Sequence, residues 1–244
     1  MSAGRSPVAT ELPGDLSSEE ARIRAAYARR PKQDPRYSFA NPTHVFQRQE
    51  RERCALELLR RHGGMPLLGK SVLEVGCGSG GWLLDFVKWG AEPEDVTGVD
   101  LLPDRVALAR RRCPQGVTVG CVSGAALPFP GETFDIVLQA TMFSSILDPG
   151  TRRQVAAEML RVVRREGFIL WYDFHVNNPW NRDVRRVTKA EIGNLFPACR
   201  IELRRVTLAA PLARRLVPWS WLASYLLTRI PLLCTHYLGV VRKA

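Results

Sequence analysis

The sequence has no CxxC pair and no cysteine–histidine cluster at zinc-ligand spacing, although it holds six cysteines: Cys54, Cys77, Cys113, Cys121, Cys199 and Cys234. No structural metal is therefore expected, and cysteines scattered through apolar stretches act as small hydrophobes with reduced thiols. A long uncharged apolar run is also missing. Leu216–Thr228 is interrupted by Pro218 and closed by Arg229, too short and too broken to span a bilayer. The polar opening from Met1 to Asp15 lacks the basic-then-apolar pattern of a signal peptide, so a cytoplasmic location is the expectation. There is no internal repeat and no low-complexity tract. Lysine is scarce: the net charge of +11 is carried almost wholly by arginines spread over several helices, such as Arg22, Arg24, Arg29 and Arg30. Dispersed arginines mark solvated helix faces rather than a nucleic-acid groove, so no nucleic-acid partner is expected.

What is present is an alternating pattern. Residues 1–16 read as a disordered tail. A helix follows from Ser17 or Ser18 to about Tyr27, and a second opens at Asn41-Pro42-Thr43 and runs to about His62, ending at Gly63 and Gly64. Residues 17–66 thus form an N-terminal helical lid. From residue 67 to 244 short apolar runs alternate with helices. Strands are predicted at 71–75, 96–99, 117–122, 134–138, 168–174, 200–208 and 235–242. The intervening helices are placed at 80–89, 103–112, 151–165, 188–196 and 218–228. This predicts an α/β, Rossmann-like fold: a seven-stranded, mostly parallel sheet with helices on both faces and an antiparallel last strand.

The informative segment is Val72-Leu73-Glu74-Val75-Gly76-Cys77-Gly78-Ser79-Gly80-Gly81, a strand entering a glycine-rich turn and then a helix. Such glycines let a ligand approach the main chain. Gly76, Gly78 and Gly81 satisfy GxGxxG, so an NAD(P)-dependent oxidoreductase is one reading. Glu74 favours another, since a carboxylate just before the turn suits a cationic ligand, and S-adenosylmethionine (SAM) carries an ammonium and a sulfonium. The chain also lacks a YxxxK pair. Asp100, ending the second strand, is placed to bridge ribose hydroxyls in either case.

Glu74-Val75-Gly76-Cys77-Gly78-Ser79-Gly80 resembles the first motif of class I SAM-dependent methyltransferases, and Gly98-Val99-Asp100 the second. Ala126-Leu127-Pro128-Phe129, Phe134-Asp135-Ile136-Val137 and Glu158–Gly167 are similar to the branch holding ubiquinone/menaquinone C-methyltransferases and small-molecule O-methyltransferases. The resemblance covers roughly Leu68 to Phe174. It implies that Glu74, Gly76, Cys77, Gly78, Gly80 and Gln139 line the methionine end of SAM, with Asp100 on the ribose and Leu101 on the adenine. The acid that the family carries after the third strand is replaced by Ser123-Gly124-Ala125, leaving main-chain groups of Gly124 and Ala125 to meet the adenine. The loss of one hydrogen bond costs roughly 0.5–1.5 kcal/mol.

For the acceptor, a small molecule, a glycan or a lipid-linked group methylated on oxygen is expected. A hydroxyl needs a base, and His175 is the first choice, oriented by Asp173; His44 and His236 are weaker candidates. The predicted acceptor wall comprises Met142, Phe143, Ser144, Ser145, Trp180 and part of the 218–228 helix, with Tyr37 and Phe39 as a lid. Asn177-Asn178-Pro179-Trp180 reads as a turn. The 218–228 helix, with Trp219, Trp221 and Leu226, is expected to pack on the sheet, a membrane surface being the alternative. A non-catalytic partner subunit of the same fold is disfavoured by the intact Glu74 and Asp100.

Overall fold

The apolar runs after residue 70 fold as β1 (Val72–Val75), β2 (Val96–Asp100), β3 (Thr118–Cys121), β4 (Phe134–Ala140) and β5 (Val163–Phe174), all mutually parallel. β6 (Cys199–Leu208) and β7 (Cys234–Lys243) complete one sheet in the order β3-β2-β1-β4-β5-β7-β6, β7 lying antiparallel to both its neighbours. This computed structural model describes residues 18–31, 34–178 and 181–244. The tail predicted at 1–16 lies outside them.

Parallel strands buried on both faces need helices above and below. One face is covered by α2 (Pro42–Arg61), α3 (Gly81–Lys88) and α4 (Pro103–Arg112), which bury Leu58, Phe86 and Val106 against Leu170 and Leu238. The other carries α5 (Pro149–Val162) and α6 (Lys189–Leu195), burying Met159 and Ile192 against Val137 and Trp171, with Ile23 of α1 (Ser18–Ala28) at the margin. The two N-terminal helices thus serve opposite faces. Their boundaries follow local chemistry: Asn41 caps α2 by accepting from the Thr43 amide, and Asp148 caps α5 through Thr151.

Two predicted elements differ. The helix expected to reach Arg165 ends at Val162, because Val163 pairs with Phe134 and Arg164 reaches Asp135 at 2.7 Å. The helix expected at 218–228 is the shorter α8 (Trp221–Leu227), capped by Ser220, and a further helix that the sequence reading does not place, α7 (Ala210–Leu216), precedes it before Pro218. They pack on α2 and the end of β6: Phe46, Leu208, Ala213 and Val217 form a small third core, and Trp221 meets Phe46 edge-on at 5.5 Å.

Candidate active site

β1 delivers the chain into Gly76, Gly78 and Gly80 with φ of +77°, +53° and +79°, a region that costs L side chains about 1–2 kcal/mol. A Cβ on Gly76 would meet Met142 Cγ at 2.9 Å, and one on Gly80 would meet Cys113 Sγ at 2.8 Å. A Cβ on Gly78 would enter open space. Gly76 and Gly80 therefore serve close packing, and Gly78 is the bare main chain that borders the void. The amides of Gly76 and Cys77 are committed to the Val99 carbonyl at 2.8 and 2.9 Å. Cys77 departs from the expected contact role: its side chain is buried in the core beneath Gly98. Asp100 closes the turn from β2, accepting from Gly78 N at 2.8 Å and Leu102 N at 2.9 Å. Each of its oxygens thus keeps acceptor capacity while the carboxylate is held in place. Half-buried Leu101 follows it.

Glu74 is 2% exposed, and its Oε2 has no hydrogen-bond partner. Burial pushes its carboxyl well above the usual range, opposed by the nearby Arg51 guanidinium. Asp100 is also raised by burial, with the two amide donors working against it. A buried acceptor with a vacant lone pair, next to open main chain, fits a cationic donor group such as an ammonium. SAM fits these residues.

The N-terminal helices complete the surroundings. Glu20 of α1 accepts from Ser123 Oγ at 2.5 Å, at the end of β3, and the charge of Arg24 favours ionised Asp100. Buried Glu19 accepts from the amides of Leu147 and Asp148, while Tyr27 meets Ser145 Oγ at 3.2 Å, so α1 is latched to the loop after β4. On the opposite face, Arg48 and Arg51 of α2 both bind buried Asp85, at 2.6 and 3.2 Å, and Arg51 lies 4.3 Å over the Trp82 ring. At residues 123–125 the Ala125 amide is already paired with Ser123 Oγ at 3.2 Å. A Cβ on Gly124 would strike Val75 Cγ1 at 2.9 Å, so that glycine is dictated by packing.

The predicted acceptor residues Phe143 and Ser144, and Gln139, expected at the methionine end of SAM, are placed differently. Phe143 is fully buried, 4.7 Å from the Trp171 ring. Ser144 is buried too, its amide donating to Asp173 and its hydroxyl to Thr141 O. Gln139 is enclosed, its amide donating to Tyr172 O at 3.4 Å and its oxygen accepting from Met142 N at 3.2 Å. These three brace the turn after β4, where Thr141 has φ +55°, rather than line a cavity. Tyr37 is 69% exposed, edge-on to His44, which Phe39 also flanks. Trp180 lies outside the described residues, as does Pro179.

His175 and Asp173 do not form a pair. Asp173 is fully buried, accepting from Ser144 N at 3.1 Å and Phe174 N at 2.8 Å, and burial raises its pKa to about 6. His175 donates Nε2–H to Cys234 O at 2.9 Å and stacks on Tyr237. Strand alternation puts both on the α5 side, whereas Glu74, Tyr172 and His236 face α2. There His236 stacks on Tyr172 at 4.6 Å and 3°, and burial drives its pKa down to about 3.

Known proteins resemble this arrangement. Residues 72–167 match the family described as a methyltransferase domain. Residues 72–167 form a class I, SAM-dependent methyltransferase domain. Over 159 residues the chain is 30% identical to the ubiquinone/menaquinone biosynthesis C-methyltransferase UbiE of Geobacter sulfurreducens, covering 63% of this chain and 58% of that protein. It is 33% identical over 137 residues to phthiotriol/phenolphthiotriol dimycocerosates methyltransferase 1 of Mycobacterium ulcerans, covering 52% and 49%. The matches thus span about half the length of the curated relatives. The crystal structure of Burkholderia thailandensis 1,6-didemethyltoxoflavin-N1-methyltransferase, with bound 1,6-didemethyltoxoflavin and S-adenosylhomocysteine, aligns with a TM-score of 0.60 at 19% identity, over 96% of this chain and 93% of that one. That likeness concerns the fold.

Around this methyltransferase domain, sequence reasoning missed Glu20, Arg24 and Arg51. Glu19 and Glu20 look like ordinary first-turn helix acids, and no local pattern announces that they reach residues more than a hundred positions away.

Proposed function

We propose that this chain is a methyltransferase that uses SAM to methylate a small-molecule or lipid-linked acceptor, with oxygen as the receiving atom. The observation that carries the reading is Glu74: a buried carboxylate oxygen without a donor, beside Gly78 main chain that borders open space, with Asp100 fixed at the neighbouring strand end. When bound, SAM supplies an electrophilic methyl group. Glu74 would accept from its ammonium, Asp100 from its ribose hydroxyls, and Leu101 would lie against the base. Glu20, anchored at Ser123, would take over the hydrogen bond to the adenine amino group that the segment 123–125 has no acid to make.

The acceptor side is assigned to the face shared by Glu74 and α2. His44 sits one helical turn before Arg48 and two before Arg51, between the rings of Tyr37 and Phe39. Burial and the two arginines lower its pKa, which keeps the imidazole neutral and able to take a proton. His236 is depressed too far to act as a base near neutrality. His175, on the other face with Nε2 engaged, is replaced by His44 in this role. The names of two relatives, the phthiotriol/phenolphthiotriol dimycocerosates methyltransferase above and a fatty-acid O-methyltransferase of Mycolicibacterium smegmatis, 41% identical over 108 residues, support a lipid-class acceptor.

Calorimetry with S-adenosylhomocysteine and with NADH tests the donor reading; binding of NADH alone would overturn it. With an acceptor in hand, a product heavier by one methylene identifies the transfer. His44→Gln should then lower kcat about 100-fold or more while His175→Ala leaves it near wild type.

A further inference from the structure

α8 is inside out for a helix in water. Its small polar residue Ser224 is fully buried, and Thr228, which caps it, is buried as well. Both hydroxyls are satisfied locally, by Ser220 O at 2.9 Å and Tyr225 O at 2.7 Å, so burying them is nearly neutral. Tyr225 and Leu227 pack against the third core, but the other large apolar side chains of α8 and of the residues flanking it point the other way. Trp219 is 88% exposed, Leu232 83%, Leu222 69% and Leu226 58%, with Trp221 and Ile230 also exposed. Scattered exposed leucines are ordinary, but six large apolar side chains within fourteen consecutive residues form a patch that water disfavours. The patch continues into a groove of about 340 Å³ walled by Phe46, Gln49, Trp221, Leu222 and Tyr225, with Arg53 also lining it and the buried Glu50, which accepts from the Thr207 and Leu208 amides, at its base.

Charge identifies the occupant. After Glu202 the sequence contains no acidic residue, yet it holds Arg204, Arg205, Arg214, Arg215, Arg229, Arg242 and Lys243. Arg214, Arg215 and Arg229 are exposed and flank the apolar side chains. Tryptophan and leucine surrounded by arginine, with no carboxylate among residues 203–244, match the boundary between acyl chains and anionic headgroups. A second copy of the chain would bring the same arginines against themselves.

We infer that the α7–α8 face, from Arg214 to Leu232, is a docking surface for an anionic lipid bilayer, with Trp219, Leu222, Leu226 and Leu232 inserting at the headgroup level. This inference stands apart from the methyl-transfer reading, because it needs neither donor nor acceptor.

Co-sedimentation of the full chain with vesicles of phosphatidylcholine, with and without phosphatidylglycerol, tests it. The anionic vesicles should bind at least about tenfold more protein, and the difference should shrink at high salt. The double variant Trp219→Ser/Leu232→Ser should lose about tenfold in partitioning, and Arg214→Gln/Arg215→Gln a similar factor. Both should keep the wild-type circular dichroism spectrum, thermal midpoint and S-adenosylhomocysteine affinity. Quenching of Trp219 by brominated lipid, read as the signal lost in Trp219→Phe, gives a second measure that does not depend on the serine variants folding. Binding that ignores lipid charge, or an unaltered partition in the double variant, overturns the proposal. So does self-association in sedimentation velocity that the double variant abolishes, which would assign the face to a second copy.

Discussion

In the proposed function two carboxylates, Glu74 and Glu20, would divide the recognition of the donor between its charged and its aromatic end. Glu74 has a raised pKa because it is buried without a donor, and a bound ammonium favours its ionised form. Binding therefore releases a proton: affinity for S-adenosylhomocysteine should climb as pH rises through the elevated Glu74 pKa. Calorimetry in buffers of different ionisation enthalpy reads that proton directly, and Glu74→Gln should abolish the part of the release due to this group. Glu20 makes a narrower prediction. Glu20→Gln should weaken S-adenosylhomocysteine binding about 3- to 10-fold, yet leave S-inosylhomocysteine, which lacks the adenine amino group, unaffected. Equal losses for both ligands would show that Glu20 serves only to anchor α1 at Ser123.

At the scale of elements, the turn between β1 and α3 separates packing from ligand contact. Gly78→Ala meets no neighbour, so it should cost only the left-handed backbone penalty of about 1–2 kcal/mol while its methyl group blocks donor binding. Gly80→Ala meets Cys113 and Ala109 as well, so its thermal midpoint should fall further. Melting curves and ligand titrations of the two variants should therefore rank in opposite orders. This turn was legible in the sequence because everything that defines it is local: an apolar strand, glycines at fixed spacing, and an acid at the end of the next strand. The acceptor side was not. Phe143 and Ser144 follow β4 as the fold rule expects, but Thr141 at positive φ folds them back into the core, and nothing in the residues themselves signals that reversal. In the sequence, His175 is favoured over His44 by its place near the end of a strand. Its engagement with Cys234 depends on the register of β7, set sixty residues later. The apolar, helical character of the 218–228 segment is legible in its residues, but the helix is shorter than its apolar run, and periodicity alone does not tell what its apolar side meets.

Over the whole molecule, the fold class, strand alternation and antiparallel final strand could all be deduced, since each follows from short apolar runs separated by helices. The pH response of the folded state is less visible in the sequence, and Asp173 supplies a test. Its folded pKa, raised to about 6, means that its proton is held more tightly in the native state than in the unfolded chain. The resulting stabilisation is complete below the unfolded value near 4 and is lost as pH rises through about 6, on the order of 2–3 kcal/mol. Urea unfolding of Asp173→Asn and wild type, compared between pH 4 and pH 7, should show the variant gaining relative stability toward pH 7. The strand order has a further consequence, for assembly in time. β7 follows β6 in the chain yet lies between it and β5. As the polypeptide leaves the ribosome, β6 has no ladder to join until the segment from Cys234 onward has emerged. Until then β5 presents an unpaired border carrying Ile169 and Trp171, to which a chaperone or another nascent chain can bind.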